Sequence, residues 1–416
     1  MIETNFIDTE IGKVPADWAV VSLDSLFDFG NGYTPSKAIA NYWVNGTIPW
    51  FRMEDIRLNG RILSDSIQHI TPEAVKGGGL FPANSIILST TATIGEHALI
   101  TVDSLANQRF TFLMRKVKRE NDIDLMFFFH YCFLLGEWCR ANINDGGLMA
   151  VNMKDLKSCM LPLPPLPEQR RIASALSSID NLISALDKLI EKKCAIKTGA
   201  MQELLGGKRR VKGCEGEWKS VRLGDCAEVK NGYAFKSSTY SDCGIFRIVT
   251  IANVQNGYLA TDEFNTVLEK PGDLQSHQEL KKGDILISMT GNVGRVCRVS
   301  LNNCLLNQRV GVFKIFGEID VNFLFIALNT TMFENEMVGK GHGAAQPNIG
   351  KKDIEDYFFP VPSDISEQRA IASVLTAMDD ELAALEAKKA KYIALKQGMM
   401  QQLLTGKIRL IDSSAK

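Results

Sequence analysis

The chain has 416 residues, 45% of them hydrophobic, enough for two or three packed domains. Its 47 Lys and Arg against 48 Asp and Glu leave a formal net charge of −1, so no global positive field advertises a nucleic-acid partner, and the balance counts mildly against one. Nine cysteines without a Cys-x-x-Cys pair, and no His at zinc-ligand spacing, speak against a metal site and for reduced thiols.

The N-terminal MIETNFIDTEIGK has neither the basic start nor the apolar core of a signal peptide. Trp18 and the apolar Val20, Val21, Leu23 and Leu26 lead to a tight-turn signal at Asn31-Gly32, followed by Tyr33. Pro49 to Ile56 reads as a strand entering a polar turn, with a hairpin signal at Asn59-Gly60. Ser85 to Ser89 reads as a buried strand closed by Thr90, Thr91, Thr93 and Gly95, and Asn107-Gln108-Arg109 introduces a further strand. Leu125 to Leu135, the most apolar run, is too short to span a bilayer and suits a buried helix. Short strands, turns and helices mixed in this way predict an α+β globule of about 160 residues, and the chain as a whole reads as soluble and cytoplasmic.

From Glu168 to Val211 the character changes. Ile172, Leu176, Ile179, Ile183, Leu186 and Ile190 follow the four-three steps of a coiled-coil seam, with charged residues on the other faces. Prolines 164, 165 and 167 precede this segment and Gly207 ends it, the usual asymmetry of helix termini. A run of about 38 residues would extend roughly 57 Å.

The second half repeats the first. Trp218, Leu223 and Asn231-Gly232-Tyr233 stand 200 positions after Trp18, Leu23 and Asn31-Gly32-Tyr33, and Asn307-Gln308-Arg309 repeats Asn107-Gln108-Arg109. Gly283 to Gly294 matches the segment ending at Gly95. Arg247 to Val254 takes the place of Pro49 to Ile56 without its Trp and most of its charge. Glu367 to Leu410 then matches Glu168 to Val211 at 21 of 44 gapless positions, with its own seam at Ile371, Leu375, Met378, Leu382 and Leu385. Same frame with different intervening residues is the pattern of two readers on one support. The residues before Trp18 also resemble those before Trp218, so antiparallel helices would attach each globule through both helices, with a pseudo-two-fold axis across the coiled coil.

At this point the chain resembles a type I restriction-modification specificity subunit. The carriers are the Pro-Leu-Pro-Glu-Gln-Arg-Arg-Ile-Ala run from Pro165, its second copy Ser366 to Ala372, the Leu-Leu-x-Gly-Lys helix ends from Leu204 and Leu403, and the paired Asn-Gln-Arg triplets. The second copy departs in its lead, where Ser363-Asp364-Ile365 replaces Pro165-Leu166-Pro167. The resemblance covers essentially the whole chain. It implies two similar α/β target-recognition domains, residues 1–163 and 212–363, and two long helices packed as an antiparallel coiled coil, residues 164–211 and 364–416 with the tail. Each globule is then expected to read one half of an asymmetric, bipartite duplex target. The helices would set the spacer and hold two modification subunits that use S-adenosylmethionine, through which restriction subunits that use ATP and magnesium attach. Neither cofactor is expected on this chain. The competing reading, a coiled-coil adaptor joining two protein-binding domains, fits the neutral charge equally well.

Base-reading chemistry nominates Tyr33, Lys37, Arg52, Thr91, Thr93 and Arg109 in the first globule and Tyr233, Lys236, Thr290, Asn292, Arg295 and Arg309 in the second. Asn107, Gln108, Asn307 and Gln308 are candidates too. Because readers of different bases share them, scaffold or backbone contact is the favoured role, with base readout the alternative. No Asn-Pro-Pro-Tyr or Asp-Pro-Pro-Tyr methylation segment and no Gly-x-x-x-x-Gly-Lys-[Ser/Thr] phosphate loop occurs, and the histidines at 69, 97, 130, 277 and 342 form no visible acid–base set. No catalytic residue is therefore expected here.

Overall fold

A computed structural model describes residues 5–144, 149–341 and 347–411; His342 lies outside them. The chain forms two compact units, each with one globule and half of each long helix: residues 1–187 with 387–416, and residues 188–386.

The first unit is built on a five-stranded sheet with the order Phe27–Asn31, Phe110–Arg115, Ser85–Ser89, His97–Ile100, Ile62–Leu63. Ser85–Ser89 is buried along its whole length, as a central strand with both faces covered must be. A smaller sheet sets Ile48–Phe51 between Leu105–Ala106 and His69–Ile70. The apolar run starting at Leu125 is the helix Leu125–Ala141, whose Asp124 carboxylate accepts the Phe127 N–H and caps its start. Its Phe128 stacks on Phe27 at 4.2 Å and joins Leu88, Ile172 and Leu404 in one core.

One local expectation changes. The strand predicted through Ile56 stops at Phe51, and Met53–Asn59 is helical. The buried Asp55 carboxylate accepts the Arg52 N–H at 2.6 Å and the Ile67 N–H at 2.6 Å, which closes the first turn of that helix. Asn59-Gly60 ends the helix instead of turning a hairpin, with Gly60 at φ +84°.

The second unit repeats this plan. One sheet runs Ala227–Asn231, Val310–Ile315, Ile285–Ser288, Val296–Arg298, and the other runs Asn265–Val267, Phe246–Val249, Cys304–Leu306, Glu279–Leu280. The first unit's three-stranded sheet and the second of the two four-stranded sheets here each hold one parallel pair, Ile48–Phe51 with Leu105–Ala106 and Phe246–Val249 with Cys304–Leu306. The helix following the large sheet is divided here, into Val321–Leu328 and Thr331–Lys340.

The long helices span Leu166–Leu205 and Ile365–Leu403. Within each unit their halves run antiparallel, because the partner number falls as the residue number rises. Lys396 pairs with Asp180 and Lys389 with Asp187 in the first unit, and Lys193 with Glu381 and Lys197 with Asp379 in the second. Ile172, Leu176, Ile179, Leu186, Ile190, Ile371 and Leu375 are buried, whereas Ile183, Met378, Leu382 and Leu385 are half-buried. Ile172 and Leu176 belong to the first globule's core and Ile371 and Leu375 to the second's. Both helices stop alike: Arg209 and Ile408 donate their N–H groups back to the carbonyls of Glu203 and Gln402 at 3.1 Å. The fold is an internal repeat of two similar α/β domains on two long helices.

Candidate nucleic-acid interface

Strand register explains where the nominated residues gather. In the first unit Asn31 faces Thr111 and Ser89 faces Phe110, so Gly32-Tyr33, Arg109 and Thr90-Thr91 all leave the large sheet at one end. At the other end Phe27 faces Arg115, and the chain passes to the Leu125 helix and the long-helix joint. Five strand residues at about 3.3 Å each separate the two ends by roughly 17 Å. Register in the second unit is the same, with Asn231 facing Gly311, Ser288 facing Val310 and Ala227 facing Ile315.

The joint explains the Glu-Gln-Arg motif. The buried Gln169 amide donates to the Pro164 carbonyl at 2.7 Å and the Asp122 carbonyl at 2.9 Å, and accepts the Asp124 N–H at 2.7 Å. Gln368 makes the same three contacts, to Pro362 at 2.9 Å, Glu318 at 3.5 Å and Asp320 at 2.7 Å. Each glutamine thus ties the start of a long helix to the N-cap of its globule's own helix and leaves no buried amide unpaired. The neighbouring glutamate binds the arginine that follows the other helix: Glu168 holds Arg409 at 2.8 Å, and Glu367 holds Arg210 at 2.6 and 2.7 Å. Arg409 also reaches Asp17, and its hydrogen bond holds that carboxyl below the usual range.

At the sheet end away from the joint, the Asn-Gly-Tyr and Asn-Gln-Arg segments interlock. A Cβ on Gly32 would lie 2.3 Å from the Asn107 carbonyl oxygen, and one on Gly232 would lie 2.2 Å from that of Asn307, so only glycine fits. Asn107 Oδ1 accepts the Arg109 N–H at 3.1 Å and Asn307 Oδ1 the Arg309 N–H at 3.2 Å. These asparagines spend their acceptors shaping the turn that presents the exposed arginines. Gln108 Oε1 accepts the Thr34 hydroxyl at 2.5 Å, whereas Gln308 donates its backbone N–H to Tyr233 at 2.9 Å.

An open groove of about 430 Å³ brings together Lys37, Arg52, Asn107, Gln108 and Arg109, with Trp50 on its wall. Arg52 pairs with Glu54 at 3.0 Å, while its buried Nε has no partner. Tyr33 is anchored from both sides: its hydroxyl accepts the Lys76 N–H at 2.7 Å, and the Lys76 ammonium lies 4.6 Å from its ring centre. Thr93 borders a second groove, and the Thr91 carbonyl accepts the Ser89 hydroxyl at 3.0 Å.

In the second unit Tyr233 and Lys236 line a groove of about 500 Å³ with Lys270, and the Tyr233 hydroxyl donates to Asp273 at 2.8 Å, which raises its pKa. Thr290 donates to Asn348 at 2.8 Å, and the Asn292 carbonyl accepts the Ser288 hydroxyl. Arg295 is occupied within the chain, at 2.8 Å from Gln255 and 3.9 Å from Glu334.

Thr250 was missed by sequence reasoning. Asn107 donates its N–H to Phe51 and Asn307 donates its own to Val249, which makes Thr250 the counterpart of Arg52. Asn253 accepts the Thr250 N–H at 3.0 Å just as Asp55 accepts that of Arg52. The signal was an Asx residue three positions downstream in both copies.

Known proteins match this architecture. The family model for the type I restriction modification DNA specificity domain matches residues 15–193 and again 215–395. The EcoprrI specificity subunit of Escherichia coli is 47% identical over 188 residues, 45% of this chain and 46% of that protein's length. The MjaVIII specificity subunit of Methanocaldococcus jannaschii is 26% identical over 98% of this chain and 97% of its own. The type I S subunit structure from M. genitalium shares the fold with a TM-score of 0.57 at 16% identity, covering 97% of each chain. With two matches in tandem spanning most of its length, the chain belongs to the type I restriction modification DNA specificity family.

Proposed function

We propose that each globule of this specificity chain reads one half of an asymmetric, bipartite duplex target, while the paired long helices fix the unread spacer and seat two modification subunits. The reading rests foremost on one observation: the sheet ends remote from the helix joint share a glycine–asparagine frame but display different side chains, Arg52 in one and Thr250 at the equivalent position of the other. A common frame positions, and unlike side chains specify. Methyl transfer with S-adenosylmethionine, and ATP- and magnesium-dependent restriction, then belong to the partner subunits in the cytoplasm. Among the described residues no helix is long and apolar enough to cross a membrane.

Single-molecule methylation sequencing of the host tests this directly. Deleting the chain is expected to abolish one bipartite adenine-methylated motif. Inserting four residues, one helical turn, after Lys192 and after Ala384 is expected to lengthen the spacer with both half-sites unchanged. Methylation that ignores the deletion would favour a protein adaptor, and an unchanged spacer would remove the ruler role.

A further inference from the structure

The loops that follow the central strands close with the same two backbone hydrogen bonds. Gly95 donates its N–H to the Ser89 carbonyl at 2.9 Å and Gly294 to the Ser288 carbonyl at 3.0 Å. Ser89 and Ser288 donate theirs to the carbonyls of the next residues, Glu96 at 2.7 Å and Arg295 at 2.9 Å. There the charge inverts. Glu96 accepts from Arg61 at 2.6 Å, whereas Arg295 faces Glu334 and Gln255.

The inversion leaves the two loop flanks with different charge. Beside the second loop, one guanidinium faces one carboxylate, and Asn256 also donates to Glu334, at 2.8 Å. Beside the first lies an open groove of about 770 Å³ whose described lining sets Arg57, Arg61 and Arg140 against one carboxylate, Glu96. Arg61 neutralises that carboxylate. Arg140 donates to the Ile94 carbonyl at 3.3 Å, and Arg57 forms no ion pair among the described residues; both are exposed. Met53 lines both this groove and the Arg52–Arg109 groove, so the two adjoin at its side chain. Its apolar walls, including Ile56, strengthen the field of two arginines that pair with no carboxylate among the described residues.

Building on the proposed DNA reading, we propose that Arg57 and Arg140 grip a duplex phosphodiester beside the first half-site. They act as positioning residues without an unpaired counterpart among the described residues of the second unit, where Lys340 at the matching helix end is held by Glu336 and the Asp353 carbonyl, so the first unit supplies more of the salt-dependent affinity. A phosphate fits this groove better than a base edge because both guanidinia are exposed along its open mouth, and Arg57 has no ion pair among the described residues to hold it toward a single base.

The test uses the full chain assembled with its modification subunits. Fluorescence anisotropy follows a duplex carrying the methylated motif and a scrambled duplex across roughly 50 to 200 mM KCl. Arg57→Gln and Arg140→Gln are each expected to reduce the slope of log affinity against log salt by about 0.9, and the double variant by about 1.8. The motif preference should hold and Arg57→Lys should keep the wild-type slope. Arg295→Gln, in the second unit, should leave the slope near wild type. A double variant with normal melting and an unchanged slope would overturn the assignment, as would an equal loss in Arg295→Gln. Loss of motif preference in both Arg57→Gln and Arg57→Lys would make Arg57 a base reader and overturn it too. Wild-type assemblies without motif preference would instead sink the proposed function.

Discussion

The two joints use the same glutamine and glutamate, yet the first is the more elaborate. In the first unit Arg409 is almost enclosed, bridges Asp17 and Glu168, and lies 5.5 Å from the Trp18 ring, whose Nε1 donates to Glu168 at 3.0 Å. In the second, Arg210 is more open, holds Glu367 and the Gly216 carbonyl, and the Trp218 Nε1 is buried without a partner. One duplicated plan has thus become a closed four-residue network in one copy and a single ion pair in the other. Shared motif residues fix the attachment, and its strength depends on neighbours that the motif does not contain.

The largest effect that would expose this difference is loss of Arg409. Arg409→Met leaves Glu168 buried without its cation, a change worth about 3–5 kcal/mol. Hydrogen exchange should register it as loss of protection in the Leu125–Ala141 helix while the Val321–Leu328 helix keeps its own. Equal loss in both helices would mean that the units are not energetically separate.

Acid should separate the units next. Burial holds His97 down to about 3 and, against the Asp180 carboxylate 3.9 Å from its Nδ1, His130 down to about 4; neither that Nδ1 nor the Nε2 of His97 has a hydrogen-bond partner among the described residues. In the unfolded chain both would titrate near 6.5. The folded state binds fewer protons, so its full stability is present above pH 6.5 and declines as pH falls toward 4. At pH 5 each histidine accounts for about 2 kcal/mol. Among the described residues the second unit carries only His277, which is half-buried, with its Nε2 3.0 Å from the Asn231 carbonyl oxygen. Opening free energies compared at pH 7 and pH 5 should fall in the first unit alone. His130→Gln should remove about half of the decline, and acid sensitivity of similar size in the second unit would refute this source.

The paired tryptophans give a smaller contrast. Trp18→Phe removes a hydrogen bond to a buried carboxylate and should cost about 1.5–3 kcal/mol beyond the change in ring volume. Trp218→Phe loses no such bond and relieves a buried donor. A larger loss of melting temperature for Trp218→Phe would reverse the ranking of the joints.

These contrasts mark what was readable in the chain. The long helices were legible because an apolar period and a duplicated 44-residue segment carry them without reference to anything distant. The joint was not: Gln169 and Glu168 look like solvent-facing residues until the fold brings Asp122, Trp18 and Arg409 around them, the last of these 241 positions away. The inversion at Glu96 and Arg295 stood in the aligned copies. Its meaning came from Arg61 and Glu334, which lie in segments that do not align. The helix after Phe51 was hidden for a related reason, since the Asp55 cap reads as an ordinary polar turn.

The last contrast concerns recognition itself. Arg52 and Thr250 follow equivalent strands, each with its N–H held by an Asx side chain three residues on, so exchanging them alters the displayed group and keeps that backbone bond, at the loss of the Thr250 hydroxyl's own bond to Asn253 at 2.9 Å. An Arg that pairs bidentately with a guanine contributes about 1–3 kcal/mol of discrimination, and Arg52→Thr should relax one position of the first half-site by that amount. Thr250→Arg should shift a preference in the second half-site while melting temperature changes little. Methylation sequencing resolves the two half-sites separately, so each substitution has its own control in the same read. If Arg52→Thr weakened methylation equally at all sequences, Arg52 would be a phosphate contact, and discrimination in the first unit would have to come from its neighbours Lys37 and Arg109 in the same groove.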